Sequence, residues 1–144
     1  EKIFKNTSVD LFQFHGSESP ERINTIKNRF NLKIIKALPI SSTPDVDASK
    51  VFEPYADYLM FDAKPIQGSS RPGGNAHSFD WRLVKDFSCS IPWILAGGLN
   101  PTNLKRAVKT SGANFVDISS GVEISPGVKD PEKIKTFLKM AKQV

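Results

Sequence analysis

Cysteine is almost absent from the 144-residue sequence, in which Cys89 is the only one. A disulfide within the chain is therefore excluded, which fits a reducing compartment. Long apolar runs are also missing: no stretch of about 18 uncharged apolar residues occurs, so no transmembrane helix is expected. The opening EKIFKNTSVD has neither the apolar core nor the cleavage site of a signal peptide. We therefore expect a cytoplasmic protein that does not contact a membrane.

Histidine is scarce as well, because the sequence contains only His15 and His77. They lie far apart and have no carboxylate or cysteine neighbours at the spacing of metal ligands. We therefore expect no metal site and no cofactor.

Strong charge of one sign is also missing. The net charge is +5, but the lysines and arginines are scattered and fit solvated helix faces. No basic stripe interleaved with aromatic residues occurs, so nucleic-acid binding is not expected. A modest positive field suits a small anionic substrate instead.

The sequence alternates apolar segments with segments of helical spacing and reads as one domain over residues 1–144. Strands are predicted over 9–16, 33–40, 56–64, 92–99 and 113–122. Helices are predicted over 19–30, 79–87, 100–112 and 130–144; loops are predicted over 41–55, with one weak helical patch, and over 65–78. Near-continuous apolar strands are typical of a parallel sheet in an α/β fold. On pattern alone an open flavodoxin-like sheet is favoured, because a (βα)₈ barrel usually needs about 200 residues or more.

Polar residues and glycines follow the predicted strands at their carboxyl ends. The set is His15, Gly16, Lys36, Asp62, Gly97, Gly98, Asp117, Ser119, Ser120 and Gly121. In parallel α/β folds these ends meet at the ligand. A ligand site at this edge of the sheet is therefore expected.

Two glycine-containing turns in this set predict a phosphate site. In AGGLNP, Gly97 and Gly98 let the backbone approach an anion, and Asn100 with Pro101 begins a helix whose N–H groups favour negative charge. DISSGVE adds Ser119, Ser120 and Gly121 one strand later, as in the last two loops of a barrel. The alternative is a tight turn with Asn100 as a helix cap.

Asp62 is the candidate general acid, because a carboxyl at the end of the apolar run YLMF is partly desolvated and its pKa is raised. An ion pair with Lys36 or Lys64 is the alternative. Asp117 is a second candidate, which would bind a substrate hydroxyl or orient a neighbouring side chain. The alternative is a structural aspartate that accepts hydrogen bonds from the backbone. His15 fits a hydrogen-bonded strand-end histidine better than a base.

The loop RPGGNAHSFDW (71–81) contains Gly73 and Gly74 and suits a lid or a ligand-lining loop, although a plain surface loop fits its composition too.

Six segments occur in the order found in one enzyme family: VDLFQFHGSESPERI, IIKALPI, YLMFDAK, PGGNAHSFDW, WILAGGLNPTNLKRAV and FVDISSGVEISPGVKDPEKIKTFLKMAK. From about Val9 onward the chain resembles phosphoribosylanthranilate isomerase of tryptophan biosynthesis. The resemblance implies a TIM (β/α)₈ barrel fold in place of the open sheet. The chain corresponds to strands four to eight, a partial barrel of about five βα units.

The resemblance also implies a chemistry, the Amadori rearrangement of an aminoaldose to an aminoketose on a small phosphorylated substrate. It assigns Asp62 as the acid that opens the furanose ring, and Asp117 to the sugar. The remaining assignments are Gly97, Gly98, Ser119, Ser120 and Gly121 to the phosphate, and His15, Lys36, Gly73 and Gly74 to the lining of the site.

The chain departs from the family in two places. The family's base is a cysteine at the end of strand one, and an arginine in an early loop binds the anthranilate carboxylate; neither segment is in this sequence. Cys89 precedes a strand and does not match. Asn75 and Ala76 replace the residues usual in the glycine loop, and the methyl group of Ala76 restricts φ.

Two interpretations follow. The chain is part of a longer isomerase and is inactive alone, or it is a non-catalytic phosphosugar-binding partial barrel. Open sheet edges would then require a homo-oligomer or a complementing N-terminal segment. Indole-glycerol-phosphate synthase, a third comparison, is disfavoured because its acidic and lysine motifs are missing.

Overall fold

The computed structural model describes residues 8–64 and 78–143. Within them, four strands form one parallel sheet in the order β1-β2-β3-β4. The strands are β1 (Leu11–Phe14), β2 (Lys33–Ile40), β3 (Tyr58–Ala63) and β4 (Trp93–Leu95). A fifth segment runs parallel to β4 through a bridge between Leu95 and Val116. The predicted α/β class is confirmed.

Four α-helices and three 3₁₀ turns occur in the described residues, together with a small antiparallel hairpin. The helices are α1 (Pro20–Phe30), α2 (Thr43–Ala48), α3 (Leu104–Ser111) and α4 (Pro131–Ala141). The 3₁₀ turns are Ser49–Phe52, Trp81–Val84 and Ser120–Val122, and the hairpin is β5 (Glu123–Ser125) with β6 (Val128–Lys129). No helix in the described ranges is both long enough and apolar enough to cross a bilayer.

The first and last helices begin where their sequence predicts. The Ser19 hydroxyl accepts from the Arg22 N–H, and the Asp130 carboxylate accepts from the Glu132 and Lys133 N–H groups. A proline opens each helix. In α4, Phe137 is buried, whereas the neighbouring Leu138 is 55% exposed.

Helix α2 and the 3₁₀ turn that follows it lie in the segment 41–55, for which the sequence predicts a loop with one weak helical patch. Ser42 and Asp45 form a capping box around Pro44, and the Asp45 carboxylate accepts from the Ser42 N–H at 3.0 Å. The signal was present in the sequence as S-T-P-D, but the helix is only six residues long, too short to show a clear apolar period.

The predicted strands over 92–99 and 113–122 are longer than the observed ones. Gly97 and Gly98 have φ values of 83° and 63°, so left-handed backbone ends β4 before them. The segment after Gly112 pairs only around Val116, and the 3₁₀ turn and the hairpin β5–β6 follow it.

The strand order contradicts the flavodoxin-like sheet favoured by pattern alone. In that fold all strands are parallel, but the order in which the chain adds them reverses once, which places helices on both faces. Here each strand pairs with the next one in the chain. Successive right-handed crossovers in one direction place the helices on the same side.

The sheet therefore has two different faces. On the helix face, the fully buried residues Ile34, Ile40, Leu59, Phe61 and Leu95 pack in one cluster with the helix residues Ile23, Val46 and Ala107. On the open face, Ala37, Met60 and Ala96 form a cluster with the partly buried Ile35 and Ile94. Among the described residues, this second cluster contains no residue of a helix.

Candidate active site

The open face ends in a histidine–carboxylate pair. His15 follows β1, and its Nε2 lies 3.3 Å from Oδ2 of Asp62 in β3. The strand between them carries Ala37 on the open face, next to the position of His15 in the parallel register. Its small methyl group leaves space for the imidazole to reach across β2. The pair depends on this spacing between strands, which the sequence alone does not give.

Asp62 is buried, with 8% of its surface exposed. Burial raises the pKa of the carboxyl, while the Ala63 N–H, 2.7 Å from Oδ1, and the neighbouring His15 act in the opposite direction. Burial is the largest effect, so the net shift is upward. A carboxyl that keeps its proton at higher pH is suited to act as an acid.

Gly97 lies directly against this carboxyl. A Cβ at this position would be 2.5 Å from the Ala63 nitrogen and 2.9 Å from Asp62 Oδ1. The φ of 83° independently disfavours other residues. Glycine is therefore required here both by the backbone conformation and by the close approach of the turn to Asp62.

Two glycine turns (residues 97–99 and 119–121) meet beside Asp62. A Cβ on Gly121 would collide with the Leu99 carbonyl, so the turns touch through their main chains. Between them lies a cavity of about 30 Å³. Its lining residues are Asp62, Ala96, Gly97, Gly98, Leu99, Asp117, Ile118, Ser119 and Ser120. The structure thus brings the predicted acid and both predicted phosphate turns to one place.

Asn100 changes the expected source of anion-binding groups. Its Oδ1 accepts from the N–H groups of Thr102 and Asn103 at 2.9 and 3.0 Å. Two N–H groups at the start of the helix, which we expected to bind an anion, are therefore already bonded to Asn100. This agrees with the alternative in which Asn100 caps the helix. In contrast, the N–H groups of Gly98 and Ser119 donate no hydrogen bond to another described residue.

Asp117 follows Val116 and so points to the open face, near Asp62. The residue keeps solvent-exposed surface, yet the surrounding protein raises its pKa, and the charge of Asp62 adds to this rise. His15 and Lys129 act in the opposite direction. Two carboxyls with raised pKa values therefore lie beside one histidine.

Lys129 is a site residue that the sequence analysis did not single out. Its ammonium donates to the Ser119 carbonyl at 2.9 Å, to the Ser119 hydroxyl at 3.1 Å and to Glu123 Oε1 at 2.8 Å. It comes from hairpin β5–β6, whose turn carries the Pro-Gly pair 126–127. That pair was the available signal, because Pro-Gly marks turns.

Lys36 does not line this cavity, but it lines a second pocket that also includes His15 and Gly16, and its place in the substrate lining stays a prediction. Its side chain alternates with Ile35 and Ala37 of the open face and points to the helix face. It is 2% exposed, and its ammonium donates to the Gly16 carbonyl at 2.5 Å and to Glu18 Oε2 at 2.9 Å. The ion pair of Asp62 with Lys36, weighed as an alternative, is likewise not formed.

Several predicted features lie elsewhere. Gly73 and Gly74 fall outside the described residues, as do Asn75 and Ala76. Cys89 precedes β4, at the end of the sheet opposite to Asp62, and its thiol donates to the Ile91 carbonyl at 2.8 Å. Burial raises the pKa of this thiol, which disfavours the reactive thiolate.

Among residues 8–64 and 78–143, no group of three or more histidine, cysteine, aspartate or glutamate side chains is arranged to hold a metal ion.

Residues 1–140 match the family model described as N-(5'phosphoribosyl)anthranilate (PRA) isomerase. The chain is 48% identical over 143 residues to N-(5'-phosphoribosyl)anthranilate isomerase of Rhodospirillum rubrum, covering 99% of this chain and 66% of that relative. The chain thus spans slightly less than two thirds of the length of the curated relatives it matches.

Solved structures show the same similarity. Phosphoribosyl anthranilate isomerase from Thermotoga maritima superposes with a TM-score of 0.79 at 32% identity, over 94% of this chain and 63% of that one. A phosphoribosyl anthranilate isomerase in complex with reduced 1-(o-carboxyphenylamino)-1-deoxyribulose 5-phosphate superposes with a TM-score of 0.73 at 31% identity, over 94% of this chain and 61% of that one.

Proposed function

Because the chain belongs to the N-(5'-phosphoribosyl)anthranilate isomerase family, we propose that it supplies the acid and phosphate part of that isomerisation. The reaction converts N-(5-phosphoribosyl)anthranilate to 1-(2-carboxyphenylamino)-1-deoxyribulose 5-phosphate in tryptophan biosynthesis. One observation carries the proposal: the buried carboxyl of Asp62 and both glycine turns line the same cavity. A cytoplasmic location stays a prediction of the sequence.

Asp62 is the proposed general acid. Its raised pKa keeps a proton on the carboxyl at higher pH than an ordinary aspartate. The proton goes to the ring oxygen of the furanose, and the ring opens to a Schiff base. Loss of the C2′ proton to a general base then gives an enolamine, which tautomerises to the aminoketose.

The glycine turns are the proposed phosphate site. Their cavity of about 30 Å³ accommodates roughly one water molecule, so the phosphate sits at the mouth of the cavity. There it accepts from the N–H groups of Gly98 and Ser119, and the Ser120 hydroxyl and the backbone of Gly97 and Gly121 complete the site. Lys129, bonded to Ser119 and paired with Glu123, lies beside it, with its positive charge partly offset by the Glu123 carboxylate.

His15 and Asp117 are proposed to face the sugar. Both flank Asp62 on the open face, and His15 is close enough for a direct contact with its carboxylate. Lining by Gly73 and Gly74 stays a prediction. No general base is assigned among the described residues. Cys89, the only cysteine, does not fit this role because it lies at the end of the sheet opposite to Asp62.

The sheet is proposed to be an arc of a (β/α)₈ barrel comprising about five βα units. The uninterrupted strand order and the helices packed on one face support this geometry. The open face would then be the lining of the barrel, as expected for a site at the carboxyl ends of its strands.

A second candidate function is binding of a phosphosugar without catalysis. The cluster on the open face, which has no helix residue among the described ones, and the share of the relatives' length that the chain spans favour it. The partner would be a second copy or a complementing chain that covers this face.

The discriminating experiment follows the loss of phosphoribosylanthranilate fluorescence. The 144-residue chain, the full-length natural protein and the chain mixed with the first part of a related isomerase are compared. Turnover by the full-length protein and by the mixture supports the proposal. Binding of the reduced aminoketose phosphate without turnover in any sample supports the second candidate, and neither turnover nor binding rejects both.

A further inference from the structure

Lys36 occupies an unusual place for a lysine. Its ammonium lies on the helix face of the sheet, in the same row as the buried Ile34 and Ile40, and 5.5 Å above the ring of Phe52. Only 2% of the residue is exposed. A replacement by an apolar residue of similar volume at such a site is often neutral or stabilising, because a buried ion pair loses hydration. Stability alone is therefore a weak reason for the pair.

Lys36, Gly16 and Glu18 are joined by three hydrogen bonds at the turn that follows β1. The ammonium donates to the Gly16 carbonyl at 2.5 Å and to Glu18 Oε2 at 2.9 Å. The same Glu18 oxygen accepts from the Gly16 N–H at 3.1 Å. Both main-chain polar groups of Gly16 are thus bonded, and the direction in which the chain leaves β1 is determined.

Gly16 directly follows His15, so this fixed direction places the imidazole. His15 Nε2 lies 3.3 Å from Asp62 Oδ2, and a displacement of about 1 Å in a reacting group reduces rates up to about 100-fold. We propose that Lys36 is a positioning residue, which acts with Glu18 through Gly16 to hold His15 against Asp62. This inference rests on the proposed function of Asp62.

The charged surroundings of Asp62 define the expected signal. His15 lowers its pKa, whereas burial raises it, and Asp117 is the second carboxyl on the same side, itself influenced by Lys129. If His15 moves away, the lowering contribution is lost. The pKa of Asp62 should then rise further.

The first test uses Lys36→Met in the full-length natural protein and measures the carboxyl titration of Asp62 by ¹³C NMR, without substrate. We expect the pKa of Asp62 to rise, as it should in His15→Asn. The control is Lys27→Met, which also removes an ion-paired lysine, bonded to Asp57 at 3.0 Å, but at the opposite end of β3 from Asp62. An unchanged titration in folded Lys36→Met, or an equal rise in the control, overturns the inference.

The second test is a coupling measurement on turnover. Lys36→Met should reduce kcat by about 10- to 100-fold in the natural background and have little further effect in the His15→Asn background. Equal losses in both backgrounds indicate a structural role only. If the natural protein shows no turnover, the proposed function fails, while the Asp62 titration still decides the role of Lys36.

Glu18→Met covers the case in which Lys36→Met does not fold. The change keeps the length of the side chain and removes the oxygen that accepts from Lys36 and from the Gly16 N–H. The pKa of Asp62 should rise in this variant too, and an unchanged value in the folded variant overturns the inference.

Discussion

The helix face and the open face of the sheet are formed by the same strands but by different kinds of residue. Phe61 and Leu95 on the helix face are fully buried among other apolar side chains. The next residues in the chain, Asp62 and Ala96, are on the open face and line the cavity between the glycine turns. Side chains alternate along a strand, so a step of one residue leads from the packed core to the candidate site.

The two faces contribute to different properties: the helix face to folding stability and the open face to the candidate site. Burial of large apolar groups on the helix face supplies free energy of folding, whereas the open face carries small, polar or raised-pKa residues at the carboxyl ends of its strands. Substitutions on the two faces should therefore affect different measurements, even at neighbouring positions.

Asp62→Asn is expected to have the largest effect. Loss of the acid should reduce kcat by about 10²–10⁴-fold, with binding of the reduced aminoketose phosphate retained, because Asn keeps an oxygen for the Ala63 N–H. Near-normal kcat would remove Asp62 from the acid role.

The same variant should not be destabilised at neutral pH. The folded state raises the pKa of Asp62, so it binds the proton more tightly than the unfolded state, and stability falls as pH rises from the ordinary carboxyl pKa through the raised one. Asn removes this loss. Thermal unfolding measured against pH should show a flatter dependence for Asp62→Asn; a markedly lower Tm would contradict the division between the faces.

Phe61→Ala tests the neighbouring helix-face position. The Phe61 ring contacts the rings of Phe87 and Trp93, with centroid distances of 4.9 and 5.4 Å. Its removal should lower the free energy of unfolding by about 3–5 kcal/mol, as measured by urea denaturation. KM of the remaining folded protein should stay near the natural value, and a KM change as large as that of a glycine-turn variant would argue against separate faces.

Gly97→Ala should affect both properties moderately. The left-handed backbone makes alanine unfavourable by roughly 1–2 kcal/mol, and the methyl group would displace the turn from Asp62. We expect KM for the phosphorylated substrate to rise by roughly tenfold, from misplacement of the turn.

Gly127→Ala is the matched control for this change. Gly127 has a φ of 85° and nothing within 4 Å of an added Cβ, so it shares the backbone penalty without the contact. Equal KM values in the two glycine variants would exclude the close approach as a determinant of binding.

The smallest expected effect is on the titration of Asp117. The charge of Asp62 contributes to its raised pKa, although burial contributes more. In Asp62→Asn the pKa of Asp117 should therefore fall, but only part of the way to its ordinary value. Carboxyl ¹³C NMR measures it, and a rise or no change would mean that the two carboxyls do not interact.

Much of the fold was predictable because its signals are local. The bounds of β2 match the prediction over 33–40, and α1 and α4 begin at capping residues readable in the sequence. The apolar runs do not show which side chains point to the helix face and which to the open face, because both faces of β2 carry apolar residues. For that reason the sequence does not show that the Lys36 side chain points to the helices.

The candidate site was predictable to a similar extent. Strand-end position and glycine turns were sufficient to bring Asp62, Gly97 and Ser119 forward as one group. The contact of His15 with Asp62 was not foreseeable, because it depends on the distance across β2. Lys129 was missed because its hairpin has strands of only three and two residues.

The contact between Gly121 and the Leu99 carbonyl leaves no room for a side chain between the two glycine turns. The separation of the two turns at this contact is therefore set by main-chain atoms, which are common to all amino acids. The cavity beside the contact is also lined by side chains, among them Asp62 and Asp117. Substitutions at those two positions should change the charge of the cavity without changing how closely the two turns approach each other.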